Sequence, residues 1–170
     1  MKNIVLIGMP SCGKSTVGVL LAKRLGYQFI DTDLLLQQQT GKLLHQTIAE
    51  RGLDAFLAME NELCATLQVT DAVIATGGSV IYGKEAMQHL AENGYIVYLK
   101  ISYETLTARL GDYVNRGVVL REGMTLHDLY LERTALYEQY ANVTVDEETC
   151  AGSLGETLEK TLSLCQNLLN

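Results

Sequence analysis

Nine residues near the start of the chain constrain its fold more than any others. Gly8-Met9-Pro10-Ser11-Cys12-Gly13-Lys14-Ser15-Thr16 matches the pattern G-x-x-x-x-G-K-[ST] at every fixed position. The apolar run Ile4-Val5-Leu6-Ile7 precedes it, and Val17, Leu20, Leu21 and Leu25 recur at helical spacing behind it. A strand that turns through glycines into a helix aims backbone N–H groups and the positive helix end at one point. That arrangement is a phosphate cradle. Gly8, Ser11, Cys12, Gly13 and Thr16 wrap it with backbone, Lys14 reaches the β- and γ-phosphates, and the Ser15 hydroxyl is placed to ligate Mg²⁺. The plainer reading, a tight glycine turn, leaves this agreement of motif and flanks unexplained.

The rest of the composition fits one globular domain over residues 1–170, with 48% hydrophobic and 19% charged residues. A formal net charge of −7 argues against a nucleic-acid partner, because neutralising phosphates needs a basic surface. An anionic ligand must therefore meet a local cluster of positive groups. No apolar run approaches the ~18–20 residues of a membrane span. Ile4–Ile7 is also too short for the apolar part of a signal peptide and leads into no cleavage pattern. It reads as the first strand of a cytoplasmic protein. Cys12, Cys64, Cys150 and Cys165 are scattered without C-x-x-C pairing, so they read as small apolar residues rather than disulfides or zinc ligands.

Strand and helix patterns alternate along the chain. Apolar runs at Ile4–Ile7, Tyr27–Ile30, Ala72–Ala75, Ile96–Leu99 and Val143–Val145 predict strands. Helices are predicted over Ser15–Leu25, Lys84–Glu92, Ser102–Leu110, Leu126–Tyr140 and about Leu154–Leu168, with Gly26 as a C-cap. A helical region over about Leu34–Leu67 is interrupted near Gly41 and Gly52. The glycine-bounded stretch Gly111–Gly123 reads as an exposed loop carrying Arg116 and Arg121. This order predicts an α/β fold, a three-layer sandwich around a five-stranded parallel sheet.

A guanine-nucleotide switch protein is disfavoured, since no aspartate has a glycine three positions later and N-K-x-D is absent. Motor and AAA-type ATPases need a longer chain. A small-molecule kinase fits the length. Asp31-Thr32-Asp33 closes the second strand, where α/β proteins bind ligands. One carboxylate suits Mg²⁺ and the other suits a substrate hydroxyl whose proton it accepts. The alternative is that one of them caps the following helix.

In order and spacing the chain resembles the shikimate kinase family of P-loop small-molecule kinases, over almost its whole length. The marks are Gly8 to Ser15, Asp31-Thr32-Asp33, Phe56 followed by Glu60, Ala75-Thr76-Gly77-Gly78, Gly94 to Leu99, Arg109, Arg116, and Arg133 with Tyr137 and Ala141. The resemblance implies the strand order of nucleoside monophosphate kinases, with ATP and Mg²⁺ as cofactors. It implies that Lys14 and Arg116 engage the transferring phosphate, that Ser15 and Asp31 serve the metal, and that Asp33 holds acceptor hydroxyls. Gly77 and Gly78 would line the acceptor pocket, Arg133 would hold the acceptor carboxylate, and Arg109 would lie against adenine. The helical region about 34–67 would bind the acceptor, and residues about 111–123 would form a lid.

Three positions depart from the family pattern. Leu57 stands where the family has an arginine, half of a carboxylate clamp with the match to Arg133. Its loss predicts carboxylate binding weakened by about 10- to 100-fold. Ser79 replaces a third glycine, adding a side chain beside the acceptor at a residue type that takes positive φ less readily. Gly117 replaces a proline after Arg116. Arg51 and Arg121 are candidate substitutes for the lost arginine, and a surface pair with Glu132 is the plainer reading of Arg133. His45, His89 and His127 lack metal-ligand spacing, and the thiol of Cys12 fills the loop or, at a helix N-terminus, is oxidation-sensitive.

The leading expectation is transfer of the ATP γ-phosphoryl group to shikimate, by a monomer whose partners are ATP and a small acceptor. Two alternatives remain open. One is a kinase for a different polyol or sugar acid. The other is a regulatory nucleotide-binding protein without kinase activity.

Overall fold

Residues Ile4 to Ile7 are shielded completely from solvent. They form the centre of a parallel sheet covered on both faces, which is why the run is apolar throughout rather than alternating. The computed structural model describes residues 2–111, 118, 120–150 and 152–170. Among them the strands are β1 (Asn3–Ile7), β2 (Gln28–Asp31), β3 (Ala72–Ala75), β4 (Gly94–Lys100) and β5 (Val143–Asp146). The helices are α1 (Lys14–Leu25), α2 (Thr32–Thr40), α3 (Leu44–Arg51), α4 (Leu53–Ala65), α5 (Lys84–Asn93), α6 (Tyr103–Leu110), α7 (Leu126–Tyr140) and α8 (Leu154–Leu169). Short 3₁₀ turns at Val80–Tyr82 and Glu147–Cys150 were not signalled by periodicity.

The sheet order is β2-β3-β1-β4-β5, all parallel, with Val5 paired to Ile74 on one side and Ile96 on the other. Right-handed crossovers then dictate the layers. The step from β1 to β2 runs one way along the sheet and puts α1 on one face, where it meets α8. The steps from β2 to β3 and from β3 to β4 run the other way and put α4 and α5 together on the opposite face. The expected three-layer α/β fold is the one observed. No helix among the described residues is long and apolar enough to cross a membrane.

Local chemistry sets the element ends. Gly13 and Gly26 flank α1 in left-handed conformation, with φ of 87° and 72°. The long helical region resolves into α2, α3 and α4, broken at Gly41 (φ 67°) and Gly52 (φ 84°). Asn3, 4% exposed, donates from Nδ2 to the Val69 carbonyl (2.9 Å) and accepts from the Ala72 N–H (3.1 Å). One buried amide thus fastens the chain entering β3 to the start of β1. Cys12, Cys64, Cys150 and Cys165 are all buried free thiols. The expected lid falls largely on residues 112–117 and 119, and Arg116 with it; these lie outside the described residues.

Asn3→Ala removes both bonds and takes these partners from the part-buried Val69 carbonyl and the buried Ala72 N–H. The expected cost is about 2–3 kcal/mol, read as a lower urea midpoint with unchanged m-value.

Candidate active site

A cleft of about 320 Å³ opens at the carboxyl ends of the strands, lined by Pro10, Ser11, Gly13, Lys14, Ser15, Thr16, Asp33, Thr76 and Gly78. Its floor is the turn between β1 and α1. A Cβ at Gly8 would sit 2.5 Å from the Leu99 carbonyl oxygen and 2.8 Å from Cys12 Sγ, so only glycine lets β1 turn here. Ser11 holds a left-handed φ of 64° in the same loop, a conformation that costs a non-glycine residue about 1 kcal/mol or more. Lys14 is 8% exposed, and its ammonium donates to the carbonyls of Gly8 (2.8 Å) and Met9 (2.9 Å). The charge is thus held over the mouth of the loop. Cys12 is fully buried, and burial raises its thiol pKa despite Lys14 nearby, so it serves the loop as filler and not as a reactive thiolate.

The two aspartates have separate tasks. Asp31 Oδ1 accepts from the N–H groups of Asp33 (3.0 Å) and Leu34 (3.4 Å), capping α2, while its Oδ2 accepts from the Ser15 hydroxyl (2.6 Å). The capping and functional readings of this residue therefore coexist, one oxygen for each. Ser15 and Asp31 together present hard oxygen donors beside the phosphate loop, the donor chemistry that Mg²⁺ prefers. Asp33 caps nothing and faces the cleft. Burial, then the neighbouring Asp31 charge, push its pKa up to about 6, against the opposing pull of Lys14.

Behind Asp33 lies a buried polar group that sequence reading had only partly assembled. Glu60 is 1% exposed and Arg133 6%. A Cβ on Gly77 would collide with Glu60 Oε1 and meet Asp33 Oδ1 at 2.9 Å, so Gly77 is small because both carboxylates crowd it. A Cβ on Gly78 would meet Arg133 Nη1 at 3.0 Å. The Gly77 N–H donates to Thr32 Oγ1 (3.3 Å), the Tyr137 hydroxyl donates to the Gly78 carbonyl (2.5 Å), and Tyr137 itself stacks on Tyr98 with centroids 5.1 Å apart. Arg133 is not the surface partner of Glu132; that carboxylate accepts instead from the Tyr82 hydroxyl at 2.5 Å.

Ser79 corrects one expectation. Its φ is −92°, so no positive φ is asked of it, and its hydroxyl turns from the cleft to donate to Glu60 Oε2 at 2.5 Å. Glu60 Oε1 has no hydrogen-bond partner among the described residues. Burial is the largest influence on Glu60 and pushes its pKa up to about 7, while the Ser79 bond opposes the rise. Arg109 lies at the other end of the loop. Its guanidinium donates to the Ser11 carbonyl (3.5 Å) and pairs with Glu147 Oε2 at 2.8 Å. Glu147, 5% exposed, was missed from sequence; the acidic run Asp146-Glu147-Glu148 was the available signal. Among the described residues no cluster of His, Cys, Asp and Glu forms a metal site of its own.

Fold and site together define a P-loop enzyme of the small-molecule kinase class. A family model described as shikimate kinase matches residues 10–162. The shikimate kinase of Clostridium botulinum is 34% identical over 160 residues, covering 92% of this chain and 95% of its own. That of Thermodesulfovibrio yellowstonii is 34% identical over 173 residues, covering 100% and 98%. Among solved structures, shikimate kinase from Acinetobacter baumannii in complex with shikimate aligns with a TM-score of 0.80 at 28% identity, covering 99% of this chain and 91% of that one. The enzyme from Aquifex aeolicus aligns with a TM-score of 0.79 at 29% identity, covering 99% of both. The chain belongs to the shikimate kinase family.

The raised pKa of Glu60 has a defined sign in stability. The folded state holds this proton more tightly than the unfolded chain, so the contribution is full below pH about 4.5 and is lost as pH rises through about 7. Glu60→Gln, which cannot ionise, should flatten that decline and narrow the stability gap between pH 5 and pH 8 by up to ~3 kcal/mol in denaturant titrations.

Proposed function

We propose that the chain transfers the γ-phosphoryl group of ATP to a hydroxyl of shikimate, giving ADP and shikimate phosphate. One observation carries the reading: the phosphate loop and Asp33 face a single cleft, with the buried Arg133 guanidinium behind Gly78 at its far wall. ATP lies with its phosphates in the Gly8–Thr16 loop, and Arg109 lies against the adenine. The acceptor carboxylate takes a charged hydrogen bond from Arg133, while its hydroxyls face Asp33 and the Gly77–Gly78 backbone. Asp33 accepts the proton as the hydroxyl oxygen bonds to the γ-phosphorus and the bond to the ADP oxygen breaks. Lys14 holds charge that develops on the transferring oxygens. Mg²⁺, when bound at Ser15 and Asp31, neutralises phosphate charge. Residues 1–170 act as one cytoplasmic kinase domain and as a monomer, with the helices of 34–67 on the acceptor side.

Ser79 does not fill the cleft, which supports an unaltered acceptor backbone site; Leu57 is the feature that favours a different polyol or sugar acid. ADP formation that depends on added acceptor, measured across a panel with ATP and Mg²⁺, separates these readings from a nucleotide-binding protein without transfer. Shikimate is expected to be the best acceptor. Lys14→Ala should abolish transfer while the fold remains by circular dichroism; unchanged turnover excludes the site.

The pH profile offers a second check. Asp33 works as the ionised base, so kcat should fall about tenfold per pH unit below about 6, and Asp33→Asn should lose both the activity and this limb.

A further inference from the structure

The resemblance implies a carboxylate clamp short of one arginine at Leu57, and the structure shows what surrounds that position. Leu57 is partly buried and packs against the core. Arg121, near the C-terminal end of the glycine-bounded stretch 111–123, borders Leu57 in two recesses, and one of these is also bordered by Arg133. The guanidinium centres of Arg121 and Arg133 lie 5.6 Å and 5.5 Å from the centroid of the same ring, Tyr82. Arg121 is exposed and makes no ion pair among the described residues, and its neighbour Glu122 is turned to solvent. Glu132, the carboxylate of the recess shared with Arg133, is already engaged by the Tyr82 hydroxyl, and Glu85 in the other recess accepts from Asn61 Nδ2. Arg51, the other candidate substitute, borders a different recess, with Leu53 and Arg121 but not Leu57 or Arg133, and its guanidinium rests against Met59 Sδ at 3.7 Å.

We propose that Arg121 supplies the second cation of the acceptor clamp, reaching over Leu57 to hold the acceptor carboxylate together with Arg133. This rests on the shikimate reading of the acceptor given above. The chemistry favours the move. An exposed guanidinium on an aromatic face is weakly held, whereas a carboxylate offers a charge-assisted, two-pronged bond. Arginine suits the task because its planar fork matches the carboxylate, and lysine does not reproduce it. The apolar Leu57 then forms a wall under the Arg121 stem, in keeping with the habit of long cationic side chains to bury their methylenes. The second cation of the clamp then comes from the segment that precedes α7 rather than from the α4 position that the resemblance implies.

Steady-state kinetics of the full chain with ATP and Mg²⁺ test this. Arg121→Ala should raise KM for shikimate by about 10- to 100-fold, with KM for ATP unchanged. Arg121→Lys should recover only part of the loss. Leu57→Arg in the Arg121→Ala background should restore affinity by returning the cation to the vacated side. With shikimate methyl ester, which lacks the charge, wild type and Arg121→Ala should behave alike; a merely structural role for Arg121 would lower both acceptors equally and overturn the proposal. A shikimate KM that moves less than about 3-fold overturns it too, as does a rise confined to KM for ATP, which would make Arg121 a phosphate ligand. A wild-type chain with no shikimate-dependent ADP formation overturns the acceptor reading itself, a result distinct from any difference between the variants.

Discussion

Everything at the functional end of this molecule depends on holding charge out of water where β1 stops. Lys14, Glu60 and Arg133 are each less than a tenth exposed, and Asp33 sits among them. Isolated charges at such depth would cost several kcal/mol each, so every one must be paired, hydrogen-bonded or neutralised. Lys14 finds two loop carbonyls, Glu60 finds the Ser79 hydroxyl, and Asp33 and Glu60 both rise in pKa toward neutrality. Glu60 Oε1 and Arg133 Nε, without hydrogen-bond partners among the described residues, mark where compensation is incomplete. Incomplete compensation suits a site that must receive a charged ligand.

The scaffold makes this tolerable. Three parallel strands, β3, β1 and β4, present their carboxyl ends side by side, and their interiors are almost wholly apolar. The stability lost at the polar edge is offset by that core. The glycines at 8, 77 and 78 then bring backbone to the charged groups where a side chain would collide. The family match over residues 10–162 spans this frame, and the departures at Leu57 and Ser79 lie at the acceptor end.

Those departures have different surroundings. Leu57 packs on the core and borders a recess with Tyr82, Arg121 and Arg133, and Ser79 adds a neutral donor whose bond the buried Glu60 accepts. Glu147 and Arg109 form a second such pair, fixing the far end of the phosphate loop from beyond β5.

What the sequence determined by itself was local or nearly so. The loop Gly8–Thr16 is legible because strand, turn and helix are contiguous and each glycine has a conformational reason. The alternation of apolar runs and amphipathic helices required a parallel sheet, and the breaks at Gly41 and Gly52 fell where glycine predicted them. Strand order came from resemblance, not from pattern. The tertiary structure alone decided the side-chain partnerships: Ser79 with Glu60, 19 residues apart, Tyr137 with Gly78, 59 apart, and Ser15 with Asp31, 16 apart. It also decided that Arg133 is buried while Arg121 lies exposed on the same tyrosine. Periodicity records which face of an element meets the core; it carries no record of which polar atoms meet when distant elements pack. The cost of leaving a buried polar atom unpaired is settled only at that point.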